Sequence, residues 1–285
     1  MVKVFEYLHP AWGIVLKKIS HHLRMYAPED VVWVDEIPKS DLQIIHIIGT
    51  GEYEIAEKSP NKIIWQHCYK TAGNLPWDNL WANSLLSASF HNLKKYTTKQ
   101  FNFLHLPLGF NRSFFYPRVP FEQRPKVAFV TGHILNDECI GEIYEACAKA
   151  GYTLYHTGEN FNLGSNYVYL EYLPEVTYAD LLGTAVKYVF GLRRVEGFEV
   201  AVIEGIASGA VGVVPTLDTY SWYDGIAIKV DVESSNLSKN IYNILIDNEK
   251  IDFDAQILKQ FEWKNIINKF WNSVWQSLSE SPKKI

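Results

Sequence analysis

The chain has 285 residues and a formal net charge of −5, and no apolar run approaches the roughly 18 residues that a membrane span requires. Hydrophobic residues make up 47% and charged residues 21% of the sequence, which is typical of a folded protein and argues against disorder. The acidic balance argues against a nucleic-acid-coating protein. Three cysteines without a CxxC pair, and an amino-terminus without signal-peptide features, predict a cytoplasmic protein of one large or two small domains.

In chain order, the first half alternates short apolar runs with helical stretches. Six runs have the length of buried strands: Lys3–Leu8, Val31–Val34, Leu42–Ile48, Lys62–Trp65, Asn83–Leu86 and Phe101–Leu106. The clearest helix is Gly13–Arg24, whose apolar residues recur at helical spacing. Strands that alternate with helices predict a parallel sheet built from βαβ units.

Three prolines within residues 116–125 predict a linker, with a domain boundary near residue 118. Six more strands follow it: Lys126–Thr131, Thr153–His156, Tyr167–Glu171, Tyr188–Gly191, Ala210–Val214 and Ala227–Val230. Helices are predicted at Glu138–Ala150, Tyr178–Ala185, Val200–Ser208 and Ser235–Ile246. The pattern predicts an α/β protein with domains at residues 1–117 and 118–262, whose parallel sheets face a cleft in which ligands bind.

One segment, Arg193–Val214, combines a strand end, a glycine turn, an apolar helix and another strand. Within that helix, Glu204 is a carboxylate among apolar residues, and burying an unpaired charge is costly. A ligand with hydroxyl groups would supply hydrogen-bond donors to it. The free backbone N–H groups at the start of the helix would suit a phosphate.

This segment resembles the donor-site motif of retaining GT-B glycosyltransferases, the group that contains glycogen synthases, sucrose synthases and bacterial mannosyl- and glucosyltransferases. In that motif a Glu, a Gly and a Phe precede a second Glu eight positions after the first, as do Glu196, Gly197, Phe198 and Glu204. The resemblance implies that Glu196 lies at the hexose hydroxyls near the anomeric centre, that Glu204 binds the ribose, and that Gly197 and Phe198 belong to the donor site. Glu199, where the family often has Gly, either shapes the sugar pocket or faces solvent.

Other segments resemble the family in the same order along the chain: Ile63–His67, Leu106–Asn111, Val127–His133, Asp224–Ala227 and Trp263–Leu278. The resemblance implies a GT-B fold, with two Rossmann-like domains and a carboxyl-terminal helix, residues 263–281, that crosses back to the first domain. The short chain resembles a compact viral or bacterial member.

The sequence departs from the family where an Arg and a Lys usually hold the donor diphosphate. Residues 132–138 contain neither, although a departing diphosphate needs positive charge or hydrogen-bond donors. We expect Arg193 or Arg194 to substitute, because arginine binds phosphate oxygens in a bidentate way. The alternative is that these arginines lie at the surface or pair with Glu196 and Glu199.

Four further residues are expected at the site. His67, at the end of a first-domain strand, is expected to bond the donor sugar or hold the acceptor, with a structural histidine as the alternative. Gly13 would let the backbone approach the diphosphate, unless it is a plain strand–helix turn. Gly132 and His133 are expected to contact the donor. Four aromatic residues either form the core or stack on the acceptor: Trp65, Tyr69, Trp77 and Trp81.

The resemblance implies transfer of a hexose from a nucleotide-sugar donor, UDP- or GDP-linked, to an acceptor hydroxyl with retention of configuration. A phosphate oxygen of the donor would accept the proton, and neither a metal nor another cofactor is expected. The acceptor stays open between a glycan, a small molecule, a protein and a modified DNA base, and the oligomeric state is not predicted. Two other hypotheses are a nucleotide-sugar epimerase of the same fold and a nucleotide-sugar-binding protein with a degenerate site.

Overall fold

A computed structural model of the chain describes residues 1–10, 13–67, 75–80, 84–88, 98, 102–195 and 197–280. The chain divides into two compact units. Unit 1 comprises Met1–Leu108 and Trp263–Ile285, and unit 2 comprises Gly109–Glu262. The first part of unit 1 therefore ends at Leu108, before the proline-rich segment in which the sequence predicts a domain boundary. The carboxyl-terminal helix belongs to unit 1. Within the described ranges, no helix is long and apolar enough to cross a membrane.

Both units are α/β, and every strand is parallel to its neighbours. The strands are β1 (Val2–Tyr7), β2 (Val31–Val34), β3 (Leu42–Ile47), β4 (Lys62–Gln66), β5 (Leu85–Ala88), β6 (Asn102–His105), β7 (Val127–Gly132), β8 (Thr153–Gly158), β9 (Tyr167–Tyr169), β10 (Tyr188–Phe190), β11 (Val211–Pro215) and β12 (Ala227–Val230). In the described part of the chain, the α-helices are α1 (Ile14–Met25), α2 (Thr50–Lys58), α3 (Ile140–Ala150), α4 (Glu175–Thr184), α5 (Val200–Ala207), α6 (Leu237–Asp247) and α7 (Trp263–Glu280). The α/β prediction is confirmed.

The unit 1 sheet has the strand order β2-β1-β3-β4-β5-β6. Successive side chains on a strand point to opposite faces, so Ile45 and Ile64 line one face, where they pack with Trp77 and the helix α2. Trp65 lies on the other face and stacks on Phe270 of α7, with 4.9 Å between ring centroids. The last helix thus packs on unit 1, as the sequence predicts.

The unit 2 sheet has the strand order β12-β11-β10-β7-β8-β9. Its first strand, β7, therefore lies beside its fourth, β10, which is the arrangement of dinucleotide-binding Rossmann folds. The strand order reverses direction between these two strands. In such sheets ligands bind at the carboxyl ends of the strands at this switch point.

A buried arginine ties two helices of unit 2 together. Arg124 is 4% exposed and donates to the carbonyl oxygens of Leu182 at 3.1 Å, Gly183 at 3.0 Å and Ser208 at 2.6 Å, and to two more carbonyls. These carbonyls include the last turn of α4 and the residue after α5, where helices lack internal partners and a cation is favourable. Burial lowers the pKa of Arg124 to about 10. This side chain fixes the helix that carries Glu204.

Candidate functional site

Two glycines open the switch point of unit 2. Gly132 ends β7 and Gly191 follows β10. A Cβ atom at Gly132 would lie 2.5 Å from Oε2 of Glu138, and one at Gly191 would lie 2.5 Å from Cγ of Glu199. At Gly191 a Cβ would also lie 2.7 Å from Cβ of Glu199, so this position requires glycine, whereas at Gly132 a Cβ would displace the end of the Glu138 side chain from the strand end.

Glu138 lies at the loop that follows β7 and binds the backbone of that loop. Its buried carboxylate accepts hydrogen bonds through Oε2 from the backbone N–H groups of His133, at 2.5 Å, and Ile134, at 2.8 Å. Successive N–H groups that converge in this way form an anion-binding concavity. The next residue, Cys139, has φ of 52° and turns the chain so that helix α3 begins only at Ile140. His133 therefore contributes its backbone N–H to this nest.

Arg193 lies between the two carboxylates. Its Nη2 is 3.1 Å from Oε1 of Glu138, and its Nε is 2.6 Å from Oε1 of Glu199. Glu199 first, and then Glu138, raise the pKa of Arg193 against the opposing effect of burial. The side chain is still 37% exposed. One cation between two carboxylates leaves this cluster, Glu138–Arg193–Glu199, with a formal charge of −1.

Arg194 binds the loop of residues 132–139 and the start of α3. Its Nη2 is 2.6 Å from Oε1 of Glu142, its Nη1 donates to the carbonyl of Asn136, and its backbone N–H donates to Asp137 at 2.9 Å. These contacts hold the 132–139 loop in place. Of the two predicted diphosphate-binding arginines, Arg193 is the one at the glycine-lined strand ends.

Glu204 lies in α5, whose residues are all buried. The glutamate is 3% exposed, and Tyr178 of α4 hydrogen bonds to it. Burial, and after it the neighbouring Glu204 carboxylate, raise the pKa of Tyr178 well above its ordinary value. A Cβ at Gly205 would lie 2.4 Å from Cγ2 of Val189, so α5 packs directly on β10. The sequence predicts that the buried Glu204 carboxylate needs hydrogen-bond donors, and the Tyr178 hydroxyl is one of them.

The structure describes Gly197, Phe198 and Glu199 of the predicted motif but not Glu196. Glu196 lies outside the described residues, so its role stays a prediction. A Cβ at Gly197 would meet nothing closer than 3.6 Å, so space alone does not require glycine there. Phe198 packs on Tyr223, with 5.3 Å between ring centroids. Glu199 is buried and precedes α5, and its carbonyl accepts from the Tyr223 hydroxyl at 2.8 Å, which excludes the solvent-facing alternative.

In unit 1, a line of hydrogen bonds crosses three adjacent strands at their carboxyl ends. His67 follows β4, and its Nε2 lies 3.0 Å from Nδ1 of His46 on β3. Nε2 of His46 lies 3.1 Å from Oε1 of Glu6 on β1. The other carboxylate oxygen of Glu6 accepts from Nε of Arg24 at 2.8 Å and from Oγ of Ser20 at 2.9 Å. This cluster of Glu6, His46 and His67 is called the histidine relay below.

The protonation states of the relay follow from its surroundings. Burial alone would raise the pKa of Glu6, but the hydrogen bond and charge of His46 and the charge of Arg24 lower it overall. Burial, and then His46, hold the pKa of His67 well below its usual value. Near neutral pH, Glu6 is therefore ionised and His67 is neutral. Sequence reasoning identified His67 as a site residue but not Glu6 or His46. Glu6 lies in a strand that also contains Lys3, so a single charge does not stand out there, and only the pairing of β1 with β3 brings Glu6 to His46.

The remaining unit 1 predictions have plain structural outcomes. Gly13 precedes α1, and its φ of −62° is a backbone conformation that any residue can adopt. A Cβ atom at this position would meet nothing within 4 Å, as is usual in a strand–helix turn. Trp65 and Trp77 are fully buried core residues. Tyr69 and Trp81 lie outside the described residues.

Unit 2 also has a cavity of about 270 Å³ beside the amino-terminal end of β11. Its lining includes Gly209, Ala210 and Val211, which lead into β11, together with Phe110 and Phe115. The cavity therefore lies away from the switch point. In the part of the chain that the structure describes, no group of three or more His, Cys, Asp and Glu residues could hold a metal ion.

Sequence comparisons find no protein-family model and no curated protein that match the chain. Solved structures do match. A sucrose-phosphate synthase from Thermosynechococcus elongatus is 12% identical with a TM-score of 0.70, over 98% of this chain and 99% of that one. AviGT4, a glycosyltransferase involved in avilamycin A biosynthesis, is 12% identical with a TM-score of 0.63, over 99% of both chains.

A third structure, an E. coli trehalose-6-phosphate protein bound with UDP-2-fluoro glucose, is 10% identical with a TM-score of 0.61, over 96% of this chain and 99% of that one. At such identities the similarity concerns the fold. It extends over nearly the whole chain, through both parallel six-stranded sheets. The chain therefore has the GT-B glycosyltransferase fold.

Proposed function

We propose that this protein is a glycosyltransferase that transfers a hexose from a nucleoside-diphosphate sugar to an acceptor hydroxyl. The observation that carries the proposal is the cluster at the switch point of unit 2. There, Arg193 and two convergent backbone N–H groups lie at glycine-lined strand ends, where this type of sheet binds phosphorylated ligands. The structural similarity to glycosyltransferases, one of them bound with a UDP-sugar, supports the same class of donor.

In this proposal the diphosphate binds to Arg193 and to the N–H groups of His133 and Ile134. A guanidinium carries five N–H donors, and the pairs with Glu138 and Glu199 use only Nε and Nη2. The diphosphate takes over the N–H groups that Glu138 now occupies, and Arg193 offsets the charge that develops as the leaving group departs. The donor is UDP- or GDP-linked, and transfer retains the anomeric configuration without a metal ion.

Glu204 is the proposed ribose ligand. The buried carboxylate is an acceptor of hydrogen bonds, as its bond from the Tyr178 hydroxyl shows, and the hydroxyl groups of a ribose are donors of the same kind. The proposal therefore treats Tyr178 as the residue that orients the carboxylate, and the carboxylate as the group that binds the nucleotide.

A thermal-shift screen against UDP, GDP and their sugars tests the proposal. A ligand at about 100 times its dissociation constant stabilises the native state by about 2.7 kcal/mol, which raises the melting temperature by roughly 5–10 °C for a domain of this size. Glu204→Gln should remove most of this shift, because the amide keeps the size but not the charge. Glu142→Gln is the matched control, since it makes the same change in a carboxylate that pairs with Arg194 and lies outside the helix that carries Glu204. No shift with any nucleotide, or equal loss in both variants, contradicts the proposed donor site.

A second candidate is a nucleotide-sugar-binding protein without transferase activity. The formal charge of −1 on the Glu138–Arg193–Glu199 cluster favours it, because a site with net negative charge is poorly suited to stabilise a departing diphosphate. Saturable nucleotide binding without release of nucleoside diphosphate from any sugar donor would select this candidate.

A further inference from the structure

The first N–H group of the anion-binding nest belongs to the peptide between Gly132 and His133. That peptide is trans and planar, so its carbonyl oxygen and its N–H group point in opposite directions, and whatever fixes the carbonyl also aims the N–H group. Glycine offers little resistance to rotation of the peptide that follows it. Contacts from outside the loop are therefore needed to hold this N–H group towards an anion.

Two donors from β8 and the residue after it hold the carbonyl oxygen of Gly132. The backbone N–H of Glu159 donates to this oxygen at 2.9 Å, and Nε2 of the fully buried His156 lies 3.1 Å from it. Gly158, with φ of 117°, faces the same oxygen, and a Cβ atom at Gly158 would collide with it. The missing side chain therefore lets the end of β8 approach this carbonyl closely.

The hydrogen bonds of His156 all run in one direction. A carbonyl oxygen can only accept, so Nε2 of His156 carries a proton. Burial lowers the pKa of His156, although the bond to Gly132 opposes this effect, so the ring is neutral near neutral pH and its Nδ1 is an acceptor. The hydroxyl of Tyr167, 2.7 Å from Nδ1, is then the donor, and its oxygen accepts from the backbone N–H of Phe161 at 3.3 Å.

We propose that His156 is a positioning residue for the diphosphate of the donor. It holds the carbonyl of Gly132 and thereby aims the N–H group of His133 at a phosphate oxygen, while Tyr167 keeps the imidazole in the tautomer that donates. Hydrogen bonds in such a chain polarise one another, so each bond before the last one makes the final N–H group a stronger donor. This inference rests on the proposed function for its ligand and on unit 2 alone for its geometry.

NMR of the full-length protein tests the hydrogen-bond chain without a ligand. At neutral pH, the ring of His156 should be protonated at Nε2 and bare at Nδ1. The backbone amide proton of His133 should resonate far downfield, because this N–H donates to the Glu138 carboxylate at 2.5 Å. It should move upfield in His156→Leu and return in His156→Gln, whose amide nitrogen can take the place of Nε2. A histidine that only fills space would be replaced by leucine as well as by glutamine.

Two isosteric changes in β9 keep the test independent of how well the histidine variants fold. Tyr167→Phe removes the hydroxyl that donates to His156. Tyr169→Phe is the matched control, because its hydroxyl donates to the carbonyl of Gly158 at 3.0 Å and lies outside the hydrogen-bond chain. Tyr167→Phe should shift the amide proton of His133 and the ring nitrogens of His156, and Tyr169→Phe should leave both close to wild type.

Titration with inorganic pyrophosphate tests the link to the ligand. It is carried out in Glu138→Gln protein, because the wild-type carboxylate uses the same N–H groups and would be weakened together with the ligand. Adding His156→Leu should weaken pyrophosphate binding about 10-fold, the lower end of what one hydrogen bond to a charged group contributes. Adding His156→Gln should weaken it less than His156→Leu does.

Three results would overturn the proposal: a ring of His156 protonated at Nδ1 at neutral pH, a His133 amide that responds to Tyr167→Phe no more than to Tyr169→Phe, and pyrophosphate binding that His156→Leu leaves unchanged. Failure of Glu138→Gln protein to bind pyrophosphate would also overturn it. Absence of any ligand in the nucleotide screen would instead contradict the proposed function, and the pyrophosphate titration would still decide whether His156 positions a phosphate-binding N–H group.

Discussion

Substituting Glu138 by Gln should strengthen the binding of diphosphates. Oε2 of Glu138 accepts from the backbone N–H groups of His133 and Ile134, and Oε1 pairs with Arg193. A diphosphate that uses the same N–H groups must first displace this carboxylate. Glutamine keeps the size of the side chain, but its neutral amide competes less well for the N–H donors.

The expected gain follows from the two displaced hydrogen bonds. A hydrogen bond to a charged group contributes roughly 1.5–3 kcal/mol and one between neutral groups about 0.5–1.5 kcal/mol. Weakening two bonds by about 1 kcal/mol each lowers the cost of displacing residue 138 by about 2 kcal/mol. This corresponds to diphosphate binding that is about 30-fold tighter.

Isothermal titration with inorganic pyrophosphate, and with whichever nucleoside diphosphate the thermal screen identifies, measures this gain. Glu142→Gln is the matched control, because Glu142 pairs with Arg194 in the same loop region and no described contact joins it to the N–H groups of His133 and Ile134. The control should bind pyrophosphate as wild type does. Unchanged or weaker binding by Glu138→Gln would refute the idea that this carboxylate occupies a phosphate position.

Three further predictions concern stability and reactivity. Arg124→Met should destabilise unit 2 by at least about 3 kcal/mol in urea unfolding, since the buried carbonyls of Leu182, Val186 and Ser208 each lose a hydrogen-bond donor. A much smaller loss would contradict this, because these carbonyls would then have found other partners. Burial raises the thiol pKa of Cys139 and Cys147 to about 12, so native protein at neutral pH should not react with iodoacetamide at these positions, and rapid labelling would contradict the packing. The pKa of Glu6 is lowered by folding, so its stabilisation is present above about pH 4.5 and is lost as the pH falls through the folded-state pKa. As the pH is lowered through the acidic range, the free energy of unfolding should therefore fall less steeply in Glu6→Gln than in wild type.

Much of the fold could be predicted from the sequence because buried parallel strands have a strong local pattern. Val31–Val34 and Ala227–Val230 are observed with the predicted bounds. Hydrophobic periodicity does not predict the helix Thr50–Lys58, because its apolar stripe is weak and its start relies on Glu52, which accepts from the backbone N–H of Gly49. Such a cap is a local signal that the hydrophobic periodicity does not contain.

The site was harder to predict because its contacts join residues that are distant in the sequence. Arg193 and Glu199 are close neighbours in the chain, but their link to Glu138 depends on β7 lying beside β10. The same holds for Glu6 and His46, which are brought together only by adjacent strands. Strand order is not encoded in local spacing, so sequence reasoning could offer the pairing of Arg193 with Glu199 but not their link to Glu138.

The most direct test of the account is release of nucleoside diphosphate from a panel of nucleotide sugars, in the presence of mixed saccharide, small-molecule, protein and DNA acceptors. The account predicts release with at least one donor, accompanied by a glycosylated product, and a loss of at least about 100-fold in Arg193→Met because a charged partner of the leaving group is removed. Undiminished release by Arg193→Met, or no release by the wild-type protein with any donor, would contradict it.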